Sequence, residues 1–183
     1  LLIVKLQFER MNRLIFLLTL MVLPLGLFAQ QINEVIYDED AEQDILYGYC
    51  TIEAFRNEPF KAWFEPAYND YKPDEATVAQ LKTLIEGIDI RIVLGTWCSD
   101  SRREVPRFLK VLKAIDYPLQ RLEIIGLNRL KRAPHVGIGE GYVDFVPTFF
   151  FFSNGVEVGR IVETPYDTLE ADMMHLLERQ IGL

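Results

Sequence analysis

The run Ile90–Leu94, "IRIVL", is too continuously apolar for the surface ribbon of a sheet, and "RLEIIGL" (121–127) repeats that character further along. Strands of this kind are buried on both faces, so a chain carrying two of them must build layers over a central sheet. Helical periodicity around them supplies the layers. Val78, Leu81, Leu84, Ile85 and Ile88 recur at helical spacing after Pro73, with acids in the first turn and Gly87 as the stop. Val105, Phe108, Leu109, Leu112 and Ile115 mark a second amphipathic helix with Pro106 inside it. Thr168–Gln180 gives a last helix that presents Leu169, Met173, Leu176, Leu177 and Ile181. Two further strands, Thr148–Phe152 and Val156–Val162, flank Ser153-Asn154-Gly155, and Asn-Gly between β-rich runs signals a hairpin. The order helix, strand, helix, strand, loop, strand, strand, helix specifies an α/β fold, a mixed sheet flanked by helices.

Three segments follow from the pattern. Residues 1–29 read as upstream residues and a signal peptide: Met11-Asn12-Arg13 is a positive start, Leu14–Phe28 an apolar core, and Ala29 a small residue before a cut. The apolar core has fifteen residues, against roughly 20 for a membrane-spanning helix. A cleaved signal is therefore expected, with no stable membrane insertion afterwards and a periplasmic or secreted location. Residues 30–72 read as an N-terminal helical extension. Its first part, "QINEVIYDEDAEQDI" (31–45), is an acidic tether, and Tyr47–Tyr71 is an aromatic-rich piece. Thr51 would cap one short helix there, and Pro59 would open another carrying Phe60, Trp63, Phe64 and Tyr68. Residues 73–183 form the main domain.

A net charge of −8 excludes a nucleic-acid partner, whose binding rests on Lys and Arg neutralising phosphates. The densest basic patch, "LNRLKR" (127–132), reads as a solvated loop. Export favours oxidised thiols, yet the chain has two cysteines, Cys50 and Cys98, so one internal bridge is the maximum. His135 and His175 lack partners at metal-ligand spacing, so no metal site is expected. Gly137-Ile138-Gly139-Glu140-Gly141 lacks the spacing and setting of a dinucleotide fingerprint.

Trp97-Cys98-Ser99-Asp100-Ser101 with Pro106, then Val146-Pro147-Thr148, then the Asn154-Gly155 hairpin, resembles the thioredoxin superfamily over roughly residues 74–183. The helix start "WCSDSRREVPRF" is most similar to exported bacterial thioredoxin-like proteins, with Trp-Cys-x-Asp-Ser in place of Trp-Cys-x-x-Cys. The resemblance implies a nucleophilic Cys98 where a strand gives way to a helix, a setting whose free N–H groups and dipole favour the thiolate. It implies a cis-Pro147 facing that sulfur, with Trp97, Val146, Pro147 and Thr148 as substrate-binding walls. An ordinary trans peptide before an edge strand is the alternative reading of Pro147.

Two departures limit the chemistry. Ser101 stands where the resolving cysteine would be; its hydroxyl can donate to a thiolate but cannot form a disulfide. Ile92 stands six residues before Cys98, where many thioredoxins carry a buried acid, and an apolar residue does no acid-base work. Arg102 is the nearer of two arginines to Cys98 on a helix, opposed by Asp100. A Ser101–Glu104 capping box is the plainer reading of the same turn. Cys50 is either a small buried core residue or a distant resolving partner.

The expected function is monothiol thiol–disulfide redox activity through Cys98, assisted by Ser101, on protein clients or small thiols and disulfides, with no cofactor. The alternative is a non-catalytic thioredoxin-fold module that binds proteins. A monothiol peroxidase lacks a dedicated base or peroxide-binding arrangement.

Overall fold

The computed structural model describes residues 31–181, and the expected signal segment lies outside them. Six strands form one sheet: β1 (Glu34–Asp38), β2 (Gln43–Cys50), β3 (Ile88–Leu94), β4 (Leu122–Gly126), β5 (Thr148–Ser153) and β6 (Val156–Val162). Their order is β1-β2-β4-β3-β5-β6. β3 and β4 run parallel, and the other neighbours are antiparallel. The four helices among the described residues are α1 (Lys61–Asp70), α2 (Glu75–Leu84), α3 (Ser99–Ala114) and α4 (Leu169–Ile181). The class is mixed α/β, as the alternation of apolar strands and amphipathic helices requires.

Alternation along the strands separates two cores. Ile90, Ile92 and Leu94 of β3, Ile124 of β4, and Phe149 and Phe151 of β5 face the helices. All four helices contribute to that cluster: Phe64 from α1, Leu81 from α2, Phe108 from α3 and Met173 from α4. Phe108 stacks on Phe149 with ring centroids 4.3 Å apart. The opposite face carries Val93, Ile125 and Phe150 and is covered without a helix. Leu127, Ala133, Ile138, Val143 and Val146, from the irregular segment between β4 and β5, pack there.

The helix ends follow their sequence signals. Asp74 caps α2, its Oδ1 accepting the Thr77 N–H at 2.8 Å, and Gly87 takes the left-handed conformation after the helix stops. A buried Glu170 ties α4 to the loop before α2 by accepting from the Tyr71 hydroxyl at 2.7 Å and the Asp74 N–H at 2.9 Å.

The extension differs from its expected form. Residues 31–45 are no tether: β1 and β2 make a hairpin, and β2 pairs with β4 to lengthen the sheet. The acidic composition belongs largely to the turn, where Glu39 and Asp40 are exposed. Asp38 closes that turn, its Oδ1 accepting the N–H groups of Asp40 and Ala41 at 2.9 and 3.2 Å. Solvated charge at the hairpin tip masked a strand whose partner is distant in sequence. Tyr47–Cys50 is strand as well, and the extension joins the main domain in one unit. Thr51 does precede a 3-10 turn, Ile52–Arg56, but makes no side-chain cap. Instead it is bound by Asn33, whose Nδ2 donates to the Thr51 hydroxyl at 3.1 Å.

The β2–β4 contact depends on Gly126. A Cβ there would lie 2.2 Å from the Leu46 carbonyl oxygen, a backbone atom that cannot rotate away. Gly126→Ala is therefore expected to destabilise the protein by about 2 kcal/mol or more. Gly139→Ala, whose Cβ meets nothing within 4 Å, is the control. Urea unfolding of both variants checks this, and equal midpoints would contradict the close approach.

Candidate active site

β3 ends at Leu94, and the next four residues turn the chain into α3. Gly95 is required because the Trp97 indole lies across it; a Cβ there would meet the ring at 2.4 Å. The indole N–H donates to the Leu127 carbonyl at 3.0 Å, which fixes the ring against the loop after β4. Thr96 is buried, and its hydroxyl oxygen accepts the Leu46 N–H at 3.2 Å, linking the turn to β2. Cys98 caps α3 through its backbone: its N–H donates to the Gly95 carbonyl at 2.9 Å and its carbonyl accepts the Arg102 N–H at 3.0 Å.

The Cys98 side chain is partly exposed and unbridged. Its thiol donates to the Val146 carbonyl at 3.2 Å. The Val146–Pro147 peptide is cis. The Pro147 carbonyl accepts the Glu163 N–H at 2.7 Å. Thr148 is buried, and its hydroxyl donates to the Phe145 carbonyl at 2.8 Å, closing the turn that carries Val146. Cys98 thus meets Val146, Trp97 packs in the same cluster, and Thr148 is buried behind the turn.

Ser101 is placed differently from its expected role. It is fully buried, and its oxygen accepts the Gly95 N–H at 3.3 Å. Among the described residues the hydrogen-bond partner of the Cys98 thiol is Val146, and Ser101 acts on the turn instead. No Ser101–Glu104 capping box forms, because α3 begins at Ser99 with Cys98 as its cap. Glu104 is buried against Arg103 and Arg107. Arg102 does not approach the thiol: its Nε donates to the Thr96 carbonyl and its Nη2 to Gln43 Oε1, both at 2.6 Å. Arg103 pairs with Asp100 at 2.8 Å.

Cys50 and Cys98 are not brought together. Cys50 lies opposite Ile124, which lies opposite Ile92, six residues before Cys98. Both cysteines are free, and two strand spacings, about 10 Å, separate Cys50 from the strand that leads to Cys98. Cys50 packs in the helix-side core and its thiol donates to the Gly48 carbonyl at 3.3 Å, whereas Cys98 packs with the opposite cluster. Burial pushes the Cys50 thiol up from 9.0 to about 12. Ile92 is fully buried between Ile124 and Phe149. His135 packs against Tyr47 in a tilted arrangement, ring centroids 4.6 Å apart, and fills the space over Gly48.

The basic segment read as a solvated loop is the part of the site that the sequence concealed. The Asn128 carbonyl accepts the Lys131 N–H at 2.9 Å, and Asp38 Oδ2 accepts the Arg129 N–H at 2.6 Å. The folded loop sets the Arg129 guanidinium over the Trp97 ring, 4.4 Å from its centroid. Lys131 lies over Phe145, 5.8 Å from that centroid.

No protein-family model and no curated protein matches the chain. Among solved structures it is similar to a protein of unknown function from Pseudomonas aeruginosa, with 12% identity over 67% of this chain and 79% of that one, and a TM-score of 0.39. It is also similar to oxidised mitochondrial thioredoxin 3 from Saccharomyces cerevisiae, with 17% identity over 63% of this chain and 97% of that one, and a TM-score of 0.31. The six-stranded mixed sheet with its helices is compatible with a thioredoxin-like fold.

The Cys50 environment fixes a pH dependence. The unfolded chain ionises this thiol above its ordinary value of 9.0, while the folded chain holds the proton until about 12. Its contribution is complete below 9.0 and is lost as pH rises towards 12. Between pH 8 and 10.5 the stability gap between wild type and Cys50→Ala should shift by about 2 kcal/mol, with wild type the loser. Urea titrations at the two pH values measure this, and a constant gap would show that Cys50 is not held as described.

Proposed function

We propose that the protein is an exported monothiol thiol–disulfide oxidoreductase acting through Cys98 on protein clients or small thiols. The observation that carries this reading is the partly exposed Cys98 sulfur at the start of α3, 3.2 Å from the Val146 carbonyl. A thiol placed there has an open side for a substrate and a backbone acceptor beside it.

The cycle needs one protein sulfur. Cys98 loses its proton to solvent, and its thiolate attacks one sulfur of a substrate disulfide. The new bond joins Cys98 to half the substrate, the old disulfide breaks, and the other half leaves as a thiolate that takes up a proton. An external thiol then attacks the mixed disulfide and releases Cys98. Oxidation thus passes to the external thiol and substrate thiol, which leave joined by a disulfide. Cys50 takes no part, because its place in the sheet keeps it away from Cys98.

The remaining residues position these events. Loss of the Cys98 proton ends its bond to Val146 and frees that carbonyl to accept an N–H from an extended client. In this reading Trp97 covers one side of the sulfur and Pro147 the other, while Ser101 and Thr148 hold the two turns from within. Signal cleavage near Ala29 and a periplasmic or secreted location belong to the same reading, motivated by the apolar segment before residue 30. Among the described residues no helix is long and apolar enough to cross a membrane.

A binding module without turnover is the second reading, favoured by Ile92 and by a Ser101 hydroxyl turned towards Gly95. Client trapping separates the two. Wild-type protein incubated with a disulfide-bearing peptide should accumulate a mixed disulfide that Cys98→Ser lacks. Equal trapping by both proteins would end the catalytic reading, and slow alkylation of Cys98 alongside retained peptide binding would favour the module.

A further inference from the structure

Two kinds of partner hold cations on this chain: carboxylates, and aromatic rings, as at Arg56 and Lys110 over Tyr68. Arg91, Arg103, Arg107, Arg121, Arg132 and Arg160 are each held by a carboxylate. Arg129 and Lys131 make no ion pair among the described residues. Each sits over an aromatic ring, and the two rings belong to opposite walls of the thiol site. Trp97, under Arg129, precedes Cys98, while Phe145, under Lys131, precedes Val146, the acceptor of the Cys98 thiol. A ring face holds a cation by its quadrupole without neutralising it, so both charges stay available to a ligand.

The loop that presents them is built rather than slack. Asn128 Oδ1 accepts the Arg132 N–H at 2.9 Å, the Trp97 indole holds Leu127, and buried Asp38 holds the Arg129 amide. Apolar surface lies between the charges: Leu130 is 55% exposed and Phe145 is 52% exposed. Three of the nearby acids are occupied. Asp100 pairs with Arg103, Glu140 with Arg132, and Asp38 takes backbone amides. Exposed Asp144 lies one residue before Phe145, Glu163 donates its N–H to the Pro147 carbonyl at 2.7 Å, and exposed Glu39 and Asp40 follow Asp38; these acids oppose the two cations.

We propose that this rim selects the substrate of Cys98: a thiol or disulfide carrying a carboxylate close to its sulfur, received by Arg129 and Lys131 beside an apolar shelf of Leu130 and Phe145. The selection rests on the thiol-exchange reading of Cys98 and adds a substrate class to it. It also gives a use to a basic cluster on a chain whose net charge is −8, since local positive charge offsets the general repulsion of an anionic partner.

Three small aliphatic disulfides of similar size test the selection: 3,3′-dithiodipropionate (anionic), bis(2-hydroxyethyl) disulfide (neutral) and cystamine (cationic). In each, the Cys98 thiolate attacks one sulfur, forms the mixed disulfide and expels the other half as a thiol; intact mass gives the rate. The anionic-to-cationic rate ratio should fall about tenfold in the double variant Arg129→Gln/Lys131→Gln, as expected for two solvent-facing charges acting on probes of opposite sign. It should rise in Asp144→Asn. In the unsubstituted protein, whose folding is not in question, the ratio should collapse towards that of a free small thiol at about 1 M salt. A ratio that neither the substitutions nor salt can move overturns the selection while leaving thiol exchange standing. A Cys98 inert to all three probes removes both.

Discussion

The site exists because a four-residue turn is locked by buried hydrogen bonds. Thr96 and Ser101 are polar side chains with almost no access to water, and each must find a partner or destabilise the fold. Their partners are backbone amides on either side of the turn: Thr96 takes Leu46 from β2, and Ser101 takes Gly95 at the end of β3. Arg102 reaches back to the Thr96 carbonyl from the first turn of α3. With these bonds made, the direction of Cys98 is set by the sheet and the helix together, and its sulfur arrives at Val146.

This arrangement gives Ser101 a structural meaning in a position where a second cysteine would give a chemical one. A hydroxyl turned towards Gly95 braces the turn and leaves the thiol without a second sulfur to pair with. The second cysteine of the chain is no substitute, since it is buried on the helix side of the sheet. In the proposed cycle, chemistry at Cys98 finishes with a thiol from outside, and selection among outside partners falls to the surface around the sulfur. The basic loop after β4, fixed by Asp38 of the hairpin, sets Arg129 over Trp97 and Lys131 over Phe145 beside that surface. The N-terminal hairpin thus has two tasks: Leu46 holds the turn that carries the thiol, and Asp38 holds the loop whose Arg129 lies over Trp97.

The sequence disclosed what is encoded locally. Apolar runs at 90–94 and 121–127, helical spacing on either side of them, and Asn154-Gly155 between two β-rich runs specify the strands, helices and hairpin of the main domain. Trp97-Cys98 and Val146-Pro147 marked the two sides of the site. What stayed hidden depends on distant pairing. The strand character of residues 34–38 and 43–50 comes from the ladder to β4, and a cluster of acids at the hairpin tip outweighed it. The partners of Arg102 and Ser101 were hidden for a related reason: proximity along a helix does not say where a side chain finds an acceptor. The segment between β4 and β5 carries no periodicity, so nothing in its sequence announced that Arg129 and Lys131 would fold over Trp97 and Phe145.

The central claim is that one sulfur, without an internal partner, performs complete cycles of exchange. Its most direct test is the steady-state rate at which catalytic amounts of the protein equilibrate a small thiol with a small mixed disulfide. The wild-type protein should accelerate that equilibration in proportion to its concentration, Cys50→Ala should retain the acceleration, and Cys98→Ser should match the uncatalysed reaction. A wild-type rate no different from that without protein would contradict the account.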